Sequence, residues 1–167
     1  AYNAASDYHQ LGMVAQEQRD FDAAVQYYQK ALKIYEDAGD AYKAASDYHQ
    51  LGMVAQEQRD FDAAVQYYQK ALKIYEDAGD AYNAADEYHN LGVVAQEQRD
   101  FDAAVSYYAQ ALSIFFETSD EYKIGFPLRQ LAKLFNELGE TQFLTIWRTS
   151  IGEDCPEALL TALRSQA

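Results

Sequence analysis

Residues 41–80 read AYKAASDYHQLGMVAQEQRDFDAAVQYYQKALKIYEDAGD, and residues 1–40 repeat them with a single change, Asn3 in place of Lys43. Residues 81–120 keep 26 of those 40 positions, and residues 121–160 keep the length while losing most identities. A fixed period of this size marks one structural unit stacked on its neighbours. Near-identity of two adjacent units is what a recent duplication leaves, whether natural or engineered.

Inside a unit, Tyr8, Leu11, Ala15 and Gln18 form one helical stripe, and Phe21, Ala24, Tyr28, Ala31 and Tyr35 form a second. Each unit therefore reads as a helical hairpin. The hairpin breaks at Arg19-Asp20, where Asp20 is a suitable N-cap for the helix that follows. Gly39-Asp40 separates the units, Gly taking the left-handed position after one helix and Asp capping the next. No strand signal appears, and the two prolines, Pro127 and Pro156, both lie beyond residue 120.

The spacing Tyr8-x2-Leu11-Gly12-x2-Ala15, then Phe21, Ala24-x3-Tyr28 and Ala31, resembles the tetratricopeptide repeat. It recurs as Tyr48, Leu51, Gly52, Phe61, Ala64, Tyr68, Ala71 and as Tyr88, Leu91, Gly92, Phe101, Ala104, Tyr108, Ala111. Gly12 and Ala24 let paired helices approach, and Tyr8 and Tyr28 fill the space beside them. The unit has 40 residues and no proline at its end, which looks like the longer units of kinesin light chains and some bacterial arrays. The resemblance implies an all-α fold, a right-handed α-solenoid of antiparallel helix hairpins with a C-terminal capping helix. One solenoid domain, residues 1–167, is expected: repeats 1–40, 41–80 and 81–120, a degenerate repeat 121–153, and a capping segment 154–167. In the degenerate repeat, Leu128, Leu131, Ala132 and Phe135 hold first-helix core positions, while Thr141, Leu144 and Arg148 replace the second-helix signature. Leu159, Leu160 and Leu163 are placed to cover the last hairpin.

Composition narrows function. The net charge of −14 repels phosphate backbones and anionic lipid, and residues 81–120 carry seven carboxylates against the single base Arg99. Nucleic acid and membrane are not expected partners. No apolar run approaches the roughly 20 residues that cross a bilayer. The lone Cys155 fits a reducing compartment, and a cytoplasmic location is expected. His9, His49 and His89 recur at the repeat period, but equivalent helices lie at least about 8 to 10 Å apart, whereas zinc ligands lie about 2 Å from the metal. They read as a histidine ladder on a surface or groove. Asp20 and Asp22 read as helix caps, and the Tyr27-Tyr28 pairs as core filler. With no phosphate loop, calcium loop or nucleophile triad, neither enzyme activity nor a cofactor or metal is expected.

The resemblance further implies that the first helices line a concave, ligand-binding face. In helical arithmetic its outward stripe is Ser6, His9, Gln10, Met13 and Gln16 in the first unit. The second unit offers Ser46, His49, Gln50, Met53 and Gln56, the third Asp86, His89, Asn90, Val93 and Gln96, and the fourth Arg129. The family's best-known site clamps a terminal carboxylate with Lys and Arg; His, Met, Gln and Asp stand there in this chain. A groove of this kind suits a peptide held by amide hydrogen bonds and soft contacts. The expected function is a protein-interaction scaffold with a protein or peptide partner. The alternative is a self-assembling or engineered repeat scaffold that forms a homo-oligomer through the uncapped apolar face of its first helix.

Overall fold

The computed structural model describes residues 2–166. Among them the chain forms nine helices and no strand: α1 (Tyr2–Glu17), α2 (Phe21–Asp37), α3 (Ala41–Glu57), α4 (Phe61–Asp77), α5 (Ala81–Glu97), α6 (Phe101–Glu117), α7 (Glu121–Leu138), α8 (Glu140–Ile151) and α9 (Glu157–Ser165). The class is the expected all-α solenoid. The chain divides into two compact units, residues 1–87 and 88–167, the division falling within α5.

The first six joints are capped by the aspartates the sequence marks. Asp20 accepts a hydrogen bond from the Ala23 amide at 3.1 Å and Asp40 one from the Lys43 amide at 3.0 Å. Asp60, Asp80, Asp100 and Asp120 do the same at their helices. Gly39 and Gly79 adopt φ of +73° and +71°, the left-handed turn that ends a helix. The joint inside each hairpin makes the same turn without glycine: Arg19, Arg59 and Arg99 stand at φ +60°, +61° and +62°. Each guanidinium lies over the ring that opens the next helix, 5.3 Å above Phe21, 5.1 Å above Phe61 and 5.2 Å above Phe101. That cation–π contact offsets part of the left-handed strain.

In the first unit α1 packs on α2, α2 on α3, and α3 on α4. The core holds Ala5, Ala15, Ala24, Tyr28, Ala31, Leu51 and Val54. Gly12 is where the hairpin closes: a Cβ there would lie 2.6 Å from the Tyr28 ring, and at Gly52 the same distance from the Tyr68 ring. The buried tyrosine therefore sits directly on the glycine. One expected core residue departs from its copy: Leu11 is 45% exposed, whereas Leu51 is 1% exposed. Leu51 is covered by the preceding hairpin, and no described residue covers Leu11 in that way.

In the second unit Phe143 and Trp147 are buried beside Tyr108, Leu131, Leu134 and Phe135. This corrects the sequence register of the last hairpin, which placed Leu144 and Arg148 at the positions of Ala104 and Tyr108. The joint here is the single residue Gly139 at φ +78°, shorter than the Gln98-Arg99-Asp100 joint, so α8 presents residues one step earlier. Pro127 stands inside α7, and the helix runs through it. Leu160 and Leu163 of α9 are buried as expected, Leu159 partly, and Arg164 ties α9 to Glu140 at 2.5 Å.

Candidate functional site

The histidines line up with carboxylates one unit further on. His9 Nδ1 lies 2.7 Å from Oδ1 of Asp47, and His49 Nδ1 lies 2.6 Å from Oε1 of Glu87. Both acids are buried, whereas the histidine side chains are 19% and 25% exposed. The rings also meet the tyrosine of their own hairpin, His9 against Tyr28 at 5.7 Å and His49 against Tyr68 at 6.1 Å. An ionised carboxylate only accepts, so Nδ1 of each imidazole is the donor in these contacts. Burial raises the Asp47 pKa above the ordinary carboxylate value, and the hydrogen bond and charge of His9 pull it back. The second Asp47 oxygen, Oδ2, has no hydrogen-bond partner.

These histidines border a polar cavity of about 210 Å³ in the first unit. Its wall brings together His9 from α1, Ser46, His49 and Gln50 from α3, and Asp86 from α5, five residues of the sequence-predicted stripe. Glu87, Asn83 and Tyr75 complete the lining. The Tyr75 phenol is hydrogen-bonded to Ser46, and burial followed by the charge of Glu87 raises its pKa. Asn83 is held by Asp80 at 2.7 Å and Tyr42 at 3.1 Å.

The other predicted residues lie elsewhere. Ser6, Gln10 and Met13 are exposed on α1, and Met53 is half-buried on α3. Gln16 and Gln56 hold the core tyrosines: Tyr28 donates to Gln16 Oε1 at 3.0 Å, and Tyr68 to Gln56 Oε1 at 3.0 Å. Burial pushes the Tyr28 phenol up to about 12, which keeps it a donor. Gln16 also donates to Glu57 at 2.9 Å. In the second unit Gln96 accepts from Tyr108 at 2.8 Å, while Asn90 and Val93 are half-buried. His89 packs between Tyr108 at 5.6 Å and Phe126 at 6.1 Å, and the exposed Arg129 lies 5.9 Å from the same Phe126 ring. The position that carries Asp47 and Glu87 in earlier units is Pro127 here.

A larger groove of about 730 Å³ runs between α2, α3 and α4 and contains Tyr48, Lys70 and Ile74, none of them on the predicted stripe. Cys155 is half-buried, and burial followed by the charge of Glu157 pushes its thiol up to about 11, far from a reactive thiolate. Among the described residues no three His, Cys, Asp or Glu side chains converge to hold a metal ion, and no helix is long and apolar enough to cross a membrane.

Stacked hairpins with a glycine under Tyr28, Tyr68 and Tyr108, and with polar first-helix faces, define a helical-repeat scaffold. Residues 3–77 and 85–115 both match the family described as Tetratricopeptide repeat, together more than half of the chain. The chain belongs to the tetratricopeptide repeat family, a family of protein-interaction scaffolds. Among solved structures it is similar to BtubC (BKLC) from P. vanneervenii, with a TM-score of 0.75 and 22% identity over 97% of this chain. It spans 62% of that protein's chain. It is also similar to the N-terminal domain of stress-induced protein-1 (STI-1) from C. elegans, with a TM-score of 0.60 and 27% identity, over 68% of this chain and 86% of that one. No curated protein sequence matches this one.

Proposed function

We propose that this chain is a scaffold that holds a polar peptide segment of a partner protein across the first-helix face of its N-terminal unit. The observation that supports this reading is the cavity that gathers His9, Ser46, His49, Gln50 and Asp86 from three helices. Hydrogen bonds to Asp47 and Glu87 fix both imidazoles, so a ligand meets a preorganised wall and pays little ordering entropy on binding. Sites on rigid helices hold their geometry better than sites on loops. The test is selection from a random peptide display library. Selected peptides should bind at about micromolar Kd or tighter and weaken at least about tenfold on Gln50→Trp, which fills the cavity. Peptides that bind Gln50→Trp as well as the parent would overturn the assignment.

A second reading, self-association through α1, is favoured by one observation. Leu11 and Val14 are 45% and 48% exposed, whereas their copies Leu51 and Val54 are 1% and 0% exposed. The occupant would be a second copy, its α1 packed on this one about a two-fold axis. Light-scattering mass over a hundredfold concentration range decides it. A dimer abolished by Leu11→Glu with Val14→Glu supports the reading, and a constant 18.9 kDa monomer rejects it.

A further inference from the structure

We infer that the open face of α1 takes a helical hairpin of another protein, of the tetratricopeptide type, that presents an imidazole, an amide and a carboxylate where this chain has His9, Gln16 and Glu36. The inference goes beyond the peptide-scaffold reading. It shares its surface with the self-association reading and names a different occupant.

What such a face holds is visible inside the chain. Residues 1–40 and 41–80 differ only at Asn3 and Lys43, so α3 turns toward α2 the same side chains that α1 turns to solvent. On α3, Leu51 and Val54 share one core with Tyr28, Ala31, Leu32 and Tyr35 of α2. Three polar contacts flank that seam. Asp47 meets the His9 imidazole at 2.7 Å, Glu57 accepts from the Gln16 amide at 2.9 Å, and the Tyr48 hydroxyl donates to Glu36. Each joins one group of the second repeat to one group of the first.

All five copies are present on α1, and none is engaged in this way. Leu11 and Val14 are 45% and 48% exposed, and Asp7 and Glu17 are exposed as well. No hydrogen bond joins Asp7, Glu17 or the Tyr8 hydroxyl to another described residue. An apolar centre set among two acceptors and one donor is more selective than a bare apolar patch, because an occupant that covers Leu11 must also supply the matching polar groups or bury these unpaired.

A second copy does not supply them. Its His9, Gln16 and Glu36 are already engaged by its own second repeat. Helix α1 carries Asp7 and Glu17 and neither Lys nor Arg, so two α1 faces set carboxylates against carboxylates. A hairpin whose own last face is unoccupied brings the imidazole, the amide and the carboxylate together with the apolar ridge.

The probe is a synthetic peptide with the sequence of residues 1–40, titrated into the isotope-labelled full chain and followed by amide NMR. The expected result is shift changes at Asp7, Leu11, Val14 and Glu17, with a gain of peptide helicity by circular dichroism. Leu11→Glu with Val14→Glu in the chain should abolish binding. Asp7→Ala in the chain and His9→Ala in the peptide should each weaken it about tenfold, and the two together no more than either alone. Additive losses would overturn the inference, as would shift changes at Asp47, Leu51 and Val54, which mark displacement of the chain's own first hairpin. The same hairpin joined to the N-terminus through a flexible Gly-Ser linker of about 20 residues is held at about millimolar effective concentration, whether or not the free peptide orders itself. A tethered hairpin that leaves the α1 amides unmoved also overturns the inference. A chain that dimerises through α1 yet takes neither form of the hairpin leaves the self-association reading standing alone. Hairpin binding by a monomeric chain that selects no library peptide leaves this inference standing without either reading.

Discussion

His9 Nδ1 and Asp47 Oδ1, 38 residues apart in sequence, meet at 2.7 Å, and Asp47 is wholly buried. The contact joins one repeat to the next and recurs between His49 and Glu87 at 2.6 Å. Among the described residues, the hydrogen-bond partner of the buried Asp47 side chain is the imidazole of the preceding repeat.

His9→Ala leaves that carboxylate without its donor and should cost about 3 kcal/mol, read as a lowered urea midpoint. Adding Asp47→Ala should restore part of the loss, since removing both partners removes the uncompensated group. If the double variant is less stable than His9→Ala alone, the contact is not a compensated pair.

Asp47 also sets a pH dependence. Burial raises its folded pKa above the ordinary 3.8, so the folded state holds this proton more tightly than the unfolded chain. Its contribution to stability is complete below the unfolded value and is lost as pH rises through the folded one. As pH rises above about 4, the parent should lose stability relative to Asp47→Asn, measured by thermal melts of both. A difference that grows in the parent's favour over that range would contradict the assignment.

Two glycine-to-alanine changes should fail for different reasons. Gly52→Ala drives a Cβ to 2.6 Å from the buried Tyr68 ring and should cost about 1 to 3 kcal/mol, despite the better helix propensity of alanine. Gly79→Ala meets nothing within 4 Å but sits at φ +71° and should cost about 1 kcal/mol. Tyr68→Leu should relieve the first and leave the second untouched, which a double-mutant cycle measures.

The register of the last hairpin predicts a sharp contrast between neighbours. Trp147 is 5% exposed inside the second unit's core, and Trp147→Ala should cost about 3 to 5 kcal/mol. Arg148, exposed and 3.8 Å from the exposed Asp154, should cost less than about 0.5 kcal/mol as alanine. Comparable losses would restore the register that sequence alone suggests.

The repeat joints were legible because their chemistry is local: Asp20 and Asp40 cap helices and Gly39 turns left-handed for reasons contained in a few residues. Arg19 was not legible as a left-handed residue, since arginine carries no such preference and its support is a ring two positions on. The last hairpin was misaligned because one shortened joint moves every side chain of α8 by one step. At the candidate site, periodicity placed His9, Ser46, His49, Gln50 and Asp86 on one face, and the structure gathers them in one cavity. The partners that hold the histidines, Asp47 and Glu87, were missed. Buried acids are rare enough that a helical stripe gives no reason to look for them, and the pairing spans 38 residues. Gln16 and Gln56 look like outward polar residues in sequence, yet their amides accept from the core tyrosines.

Amide NMR mapping of the chain bound to a library-selected peptide locates the ligand. Shift changes concentrated on His9, Ser46, His49, Gln50 and Asp86 are the predicted result. Changes confined to Tyr48, Lys70 and Ile74, in the larger groove between α2, α3 and α4, would contradict the assignment of the first-helix face as the surface that holds the partner.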